Sequence, residues 1–366
     1  MDSFNNTTEG EIAMRYKENA GTEILATMGP SLGDETQIRH ACSLGAENFR
    51  IHMGVRKNLC YQYFANVRAV EEKIHQHLSV LLDLPTAKPR IGKIRDFRPV
   101  TGERYVFSPA SVTDDDKVLP LNALDKIYKA LKPGHRINFS DGKVLFSIVS
   151  VNNMEVTAEC TKSCTDLVSN ISSCVFPDSD AVFDLFCDGD YDLFMRLRNS
   201  NLFPDWVAIS FADDCSRINE VKNIVCDVWN SNVKIMAKIE TVKGLQNFQK
   251  ILDCVDGIMV ARGDLLSFVE PYKLPHIQQT LVQMTRTATK TSVVATEMLE
   301  QFSEKGVVSR PELTDIATAV RQGASAVMLS KESANSIRAF DCISLMKQII
   351  NYEEAQKKNG SSKILA

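Results

Sequence analysis

Along this chain, short runs of β-branched and other apolar residues alternate with longer stretches whose apolar positions recur every three or four residues. The first pattern suits a strand buried on both faces, and the second an amphipathic helix. The runs predict strands at Glu23–Met28, Asn48–His52, Ser79–Asp83, Trp206–Ser210, Lys234–Ile239, Gly257–Ala261, Ser292–Ala295 and Ala324–Leu329. Helices are expected between most of them, at Glu35–Leu44, Lys57–Ile74, Asp180–Arg198 and Pro311–Arg321, with a last one at Ile337–Gln356. Pro311 falls where a helix begins, a position at which its missing N–H costs little. Alternating strands and helices imply a parallel sheet with crossover helices. Eight such strands, most ending on a residue able to bind a cation or an oxyanion, imply an α/β fold of the (β/α)8 TIM-barrel type with one active-site mouth.

One interval breaks the alternation. More than a hundred residues separate Asp83 from Trp206, where a single helix is due. Within it, Val144–Val151 and Met154–Cys160 show strand-like alternation, and Ser140-Asp141-Gly142-Lys143 reads as a turn. A loop of that length without structure of its own is implausible. A small β-barrel-like domain is therefore expected after the third strand, as a lid that excludes water from the mouth. The expected division is an N-terminal arm over 1–21, the barrel over 22–93 and 174–357, the lid over 94–173, and a tail over 358–366.

Composition removes several classes of function. A net charge of −4 gives no reason to expect nucleic acid or an acidic membrane as partner. No run reaches the ~18 apolar residues of a membrane span, and the polar N-terminal stretch lacks an apolar signal core, so a cytoplasmic protein is expected. Ten cysteines are scattered, many inside apolar runs such as Ile251–Cys254, and reduced, buried thiols are expected. Cys160, Cys164 and Cys174 have no histidine nearby and lack the spacing of a zinc site.

The strand ends carry the chemistry. In Lys234-Ile-Met-Ala-Lys238-Ile-Glu240, Lys238 and Glu240 share one face of a strand, an ammonium beside a carboxylate. The next strand ends in Arg262-Gly263-Asp264, where Gly263 lets the backbone approach a ligand and Asp264 adds a second hard oxygen. Two carboxylates on adjacent strands suit Mg²⁺, which fills its other positions with water and substrate oxygens. Thr296 ends the seventh strand with a hydroxyl, and Arg50 ends the second with a guanidinium able to grip phosphate. Each also has a structural reading: a sheet-edge salt bridge, a capped glycine turn, a helix cap, an ion pair.

Taken together, Lys234-Ile-Met-Ala-Lys-Ile-Glu-Thr, Asp256-Gly-Ile-Met-Val-Ala-Arg-Gly-Asp-Leu, Val294-Ala-Thr-Glu-Met-Leu-Glu, Arg310-Pro-Glu-Leu-Thr-Asp-Ile-Ala-Thr-Ala-Val and Val327-Met-Leu-Ser-Lys-Glu-Ser-Ala resemble, in order, the signature segments of the pyruvate kinase family. The resemblance runs from about Thr22 to Glu354 and implies the same barrel with an inserted β domain. It implies phosphoryl transfer between phosphoenolpyruvate and ADP through enolpyruvate bound to Mg²⁺ or Mn²⁺. By resemblance Lys238 and Arg50 steady the phosphoryl group with Ser210 nearby, and Glu240 and Asp264 are the metal ligands. Gly263, Asp264 and Thr296 match positions for the substrate carboxylate, Thr296 lies near the face where the enolate is protonated, and Pro30 matches a nucleotide contact shared with Arg50.

The sequence also departs from the family. Nothing after Glu354 resembles the family's C-terminal effector domain, so allosteric binding there is not expected; a homodimer through the barrel helices remains open. His52 and Gly54 stand where asparagine and serine ligands of a monovalent cation would be. Lys88, expected among the substrate-binding residues, stands where potassium-dependent members have glutamate, with Leu84 accompanying it as in members that do without potassium, so no potassium requirement is expected. The nucleotide side is thinner: Val55 replaces a histidine, and Cys164–Ser173 lacks a clear match to the family's lysine. Two other readings stay open: enolpyruvate chemistry without nucleotide (aldolase, condensing enzyme or oxaloacetate decarboxylase), and a non-catalytic regulatory relative.

Overall fold

The structure is a computed structural model that describes residues 21–54, 56–94, 97–109, 115–139, 144–163, 174–229 and 233–359. The arm before Gly21, Val55, the turn over Ser140–Lys143, the stretch Cys164–Ser173 and the tail from 360 onward lie outside the described residues. Among the described residues, fourteen strands follow in chain order: β1 (Glu23–Thr27), β2 (Asn48–His52), β3 (Ser79–Leu84), β4 (Arg104–Ser108), β5 (Val118–Pro120), β6 (Arg136–Phe139), β7 (Val144–Asn152), β8 (Glu155–Lys162), β9 (Cys174–Val175), β10 (Trp206–Ile209), β11 (Lys234–Ile239), β12 (Gly257–Ala261), β13 (Thr291–Ala295) and β14 (Ala326–Leu329). Eight of them close into a parallel barrel in the order β1-β14-β13-β12-β11-β10-β3-β2. The expected α/β TIM barrel is therefore present, with strand ends within two residues of the sequence reading.

Burial explains why these strands were readable. Every residue of β3, β10, β12, β13 and β14 is buried, because helices cover the outside of the sheet while side chains fill the inside. The inner filling is Leu25, Leu81, Trp206, Ala208, Met236, Met259, Val293, Ala295, Ala326 and Met328, a packed core rather than a pore. Trp206 is admitted because Gly257 on β12 has no side chain: a Cβ there would meet the Trp206 ring at 3.2 Å and Thr291 O at 2.9 Å. Emptying that layer with Trp206→Ala is expected to cost ~3–5 kcal/mol.

Helix ends follow local chemistry. Asp34 and Gln37 form a reciprocal capping box at the start of Glu35–Ser43, and Ser309 and Glu312 form another before Arg310–Gln322, with Pro311 in the first turn. The latter helix stops at Gly323, whose φ of +89° continues no right-handed helix. One expected helix is much shorter than its pattern. Residues 180–189 are not helical, and the helix is Asp190–Asn199, because Gly189 takes φ +77° immediately before it.

Between β3 and β10 the chain forms the expected second sheet, β5-β4-β8-β7-β6-β9, a half-barrel with edges at β5 and β9. Its core is aromatic, with Phe107, Phe139 and Phe146 in mutual ring contact at 5.3–5.6 Å. Two backbone bonds tie the outgoing and returning segments, Ala87 N–H to Asp184 O and Cys174 N–H to Pro89 O, each 2.9 Å. A side-chain bond reaches from the sheet to the barrel, Asn138 Nδ2 donating to Ser267 O at 2.7 Å.

The expectation of reduced thiols is corrected at one pair. Cys215 and Cys254 are joined in a disulfide with Cα atoms 6.2 Å apart, within the span such a bridge needs. They lie 39 residues apart and meet because two neighbouring helices bring their ends together. Among the described residues, Cys42, Cys60, Cys160, Cys174, Cys187, Cys226 and Cys342 take part in no disulfide. Among the described residues no helix is long and apolar enough to cross a membrane.

Candidate active site

The parallel register sets β2 beside β3 with His52 opposite Asp83, and the ends of β2, β3, β10, β11, β12 and β13 converge on one mouth. At its centre is Asp83, fully buried. Arg50 donates to Asp83 Oδ2 through Nε at 2.7 Å and to Thr27 Oγ1 through Nη1 at 3.1 Å, while its Nη2 lies 2.7 Å from the same carboxylate. Lys238 approaches the other oxygen, Oδ1, at 3.3 Å, an ion-pair distance without the alignment of a hydrogen bond. Burial alone would lift the Asp83 carboxyl, but Lys238 and Arg50 outweigh it and hold it down at about 2.

Lys238 is itself buried, donates to Ser210 Oγ at 2.8 Å, and lies 3.1 Å from Glu240 Oε1. Burial pulls its ammonium toward losing a proton, and Asp83 and Glu240 more than reverse that pull. Ser210 passes the chain on by donating to Leu84 O at 2.7 Å. The other oxygen of Glu240 accepts the Phe211 N–H at 2.7 Å. Burial raises the Glu240 carboxyl, Lys238 opposes the rise, and Asp264 adds to it.

Asp264 follows β12 in the one-turn helix Arg262–Leu266, and its Oδ1 is ion-paired with the buried Lys88. Burial works to raise the Asp264 carboxyl, and the Lys88 ammonium wins and lowers it. Gly263 N–H donates to Thr296 Oγ1 at 2.9 Å, and that hydroxyl donates to Ala295 O at 2.6 Å. Thr296 sits at φ +77°, uncommon for a β-branched residue. Arg262 grips this turn, bonding Ala295 O at 3.0 Å and Thr296 O, and its other end reaches Asp315 at 2.6 Å.

His52 and Gly54 explain one another. A Cβ on Gly54 would overlap the His52 ring, so residue 54 has no room for a side chain while the imidazole is there. Burial, with Arg50 beside it, drives the His52 pKa down to about 3 and keeps the ring neutral.

Contacts thus link Arg50, Asp83, Lys238, Ser210 and Glu240, while Lys88 and Asp264 form a second pair that Glu240 feels through charge, with Gly263 and Thr296 alongside. Pro30 stands apart, exposed on the turn from Gly29 to Leu32, where its carbonyl accepts from Gln37 Nε2 at 3.4 Å. Two contributors escaped the sequence reading. Asp83 was visible only as a strand-end acid, and Phe211 acts through its backbone N–H, which leaves no trace in residue type.

Glu240 and Asp264 follow the ends of β11 and the adjacent β12, and the Asp264 charge raises the Glu240 carboxyl. No group of three or more His, Cys, Asp and Glu suited to a metal occurs among the described residues. The pair fits an ion that expects only one or two protein carboxylates and completes its shell with water and substrate, as Mg²⁺ does. It fits a structural zinc site poorly.

A closed parallel barrel with an inserted half-barrel sheet, and with cations and acids gathered at the strand ends, defines a TIM-barrel enzyme. The family model described as the pyruvate kinase barrel domain matches residues 19–341. A pyruvate kinase of Methylorubrum extorquens is 31% identical over 343 residues, covering 92% of this chain and 70% of that protein. One from Thermococcus litoralis is 28% identical over 350 residues, covering 94% and 72%. The crystal structure of a pyruvate kinase from Cryptosporidium parvum superposes with a TM-score of 0.81 at 22% identity, covering 94% of this chain and 73% of that one. The chain belongs to the pyruvate kinase family, whose members are phosphotransferases.

Proposed function

We propose that the protein transfers a phosphoryl group between phosphoenolpyruvate and ADP, with Mg²⁺ or Mn²⁺ and without potassium. The observation that carries this reading is the Lys238 ammonium, buried and held 2.8 Å from Ser210 Oγ and 3.1 Å from Glu240 Oε1. Phosphoryl transfer needs positioning and charge neutralisation more than covalent help. Lys238 and Arg50 offer fixed positive charge to the transferring group, with Ser210 holding the lysine's direction. Glu240 and Asp264 would hold the divalent ion, which when bound neutralises the substrate's anionic oxygens. The Gly263 N–H, now given to Thr296 Oγ1, is free to turn to the substrate carboxylate when that group arrives. Thr296 then presents its hydroxyl toward the enolate carbon for protonation. Pro30 and Arg50 are assigned to the nucleotide side.

The case against a potassium requirement rests on two local facts. The Lys88 ammonium already sits on Asp264, and the His52 ring fills the space a side chain at position 54 would need. In this reading the barrel spans 22–93 and 174–357, the lid spans 94–173, and the barrel helices form a homodimer that sedimentation tests directly.

The deciding experiment supplies Mg²⁺, phosphoenolpyruvate and ADP without potassium and follows pyruvate and ATP. ATP formation that disappears in Lys238→Met supports the proposal. Pyruvate released from oxaloacetate with no ATP from phosphoenolpyruvate would replace it with nucleotide-free enolpyruvate chemistry.

A further inference from the structure

Phe211 follows Ser210 at the end of β10 with φ +52°, in the left-handed region that aromatic residues seldom adopt. Strain of this kind persists where the surroundings over-determine it. At Phe211 they do. Its N–H donates to Glu240 Oε2 at 2.7 Å, its carbonyl accepts from Asp213 N–H at 2.9 Å, and its buried ring lies 5.4 Å from the Lys88 ammonium. One residue therefore meets both acids assigned to the metal: Glu240 through its main chain, and Asp264 through the lysine paired with it.

The ring is also contacted by the segments that lead into and out of the inserted sheet. Phe183, on the returning segment, packs edge-on against it with centroids 5.7 Å apart, while Lys88 stands on the outgoing segment. Past these contacts the ring borders a cavity of about 320 Å³, lined by Phe183, Arg217, Thr241 and Phe268 among others.

We propose that Phe211 is a positioning residue whose ring face sets the Lys88 ammonium against Asp264 while its main chain fixes Glu240. The inference rests on the reading of Lys88 and Asp264 as groups that face phosphoenolpyruvate. It separates two functions within one residue, because a side-chain change alters the first and spares the second.

The test is Phe211→Leu, which keeps bulk and the main-chain bond but removes the face that attracts a cation. Losing one cation–π contact is expected to raise KM for phosphoenolpyruvate about fivefold, with kcat changed less than about twofold. Mn²⁺ still binds the free leucine variant, as read by electron paramagnetic resonance, because the bond that fixes Glu240 remains. Phe211→Tyr keeps the ring and restores KM. In a Lys88→Met background the leucine change adds nothing further, since the partner is already gone. Additive effects on KM, a leucine variant with wild-type KM, or a tyrosine variant as impaired as leucine overturns the inference. Absence of phosphoenolpyruvate turnover by the wild-type protein instead overturns the functional reading, and the inference with it.

Discussion

Lys88 and Asp264, 176 residues apart in sequence, form an ion pair across the mouth of the barrel. The lysine is buried and the aspartate side chain is 26% exposed, so the pair reaches solvent through the aspartate only. It brings to the mouth a positive charge that is part of the chain itself.

From that pair follows a prediction about salts. Activity in tetramethylammonium chloride is expected to match activity in potassium chloride within about twofold, because a covalently attached ammonium does not exchange. Lys88→Glu places a second carboxylate beside Asp264 and is expected to lose at least about tenfold in rate, since like charges at close range are costly in a partly dry site. Potassium should return part of that loss. A wild-type protein that is inactive until potassium is added would refute the role given to Lys88.

Lys238 stands between two acids that are almost completely buried, Asp83 and Glu240. Lys238→Met is expected to cut phosphoryl transfer by about a thousandfold, the scale of losing a preorganised charge. It also leaves buried carboxylates short of their partner, which is expected to destabilise the fold by ~3–5 kcal/mol. Lys238→Arg keeps the charge but spreads it over a planar fork, so it should recover part of the stability and little of the rate. Thermal unfolding beside steady-state rates separates the two. An arginine variant with wild-type rate would mean that charge alone, and not a compact amine, is what the site uses.

How legible these features were depends on where their partners lie. The barrel strands were readable because a parallel strand covered on both faces is a continuous apolar run. Lys238 and Glu240 were readable because alternation puts residues two apart on one face, and the 3.1 Å contact between them realises that. Asp83 was not readable as a hub, because its partners Arg50 and Lys238 come from other strands. Phe183 and Leu185 fall inside the expected helix Asp180–Arg198, yet they serve the cavity wall and the barrel core from a non-helical segment. The Cys215–Cys254 bridge depends on two helix ends meeting, which no local pattern records.

Thr296 and Glu297 both take positive φ, +77° and +54°, in the turn that closes β13. An L-residue held there costs roughly 1–2 kcal/mol. Thr296→Gly relieves that strain but frees the unfolded chain, so the net stability change is expected to stay within about 1 kcal/mol. Activity is expected to fall about a hundredfold, as for loss of a positioned proton donor. Thr296→Ser keeps the hydroxyl and should keep most of the rate. Solvent-proton incorporation into pyruvate locates the defect. If Thr296→Gly incorporates protons at the wild-type rate, the hydroxyl has no part in protonation.

The end of the barrel away from the mouth holds a different cluster, and it governs stability rather than chemistry. His77 lies 2.9 Å from Asp205 Oδ1 and 3.4 Å from Glu71 Oε1, and Arg68 binds the same two acids at 2.9 and 2.5 Å. Asp205, then Glu71, raise the His77 pKa from 6.5 to about 9 against the effect of burial. The folded protein therefore holds this proton more tightly than the unfolded chain. Its contribution is complete below pH 6.5 and is lost as pH rises through about 9. The imidazole is 34% exposed, so after solvent screening roughly 1 kcal/mol is expected rather than the full value of the shift. Unfolding free energies measured on either side of that window should differ by this amount, and His77→Gln should flatten the difference. A wild-type profile already flat from pH 6.5 to 9 would show that the proton is not held by these two acids.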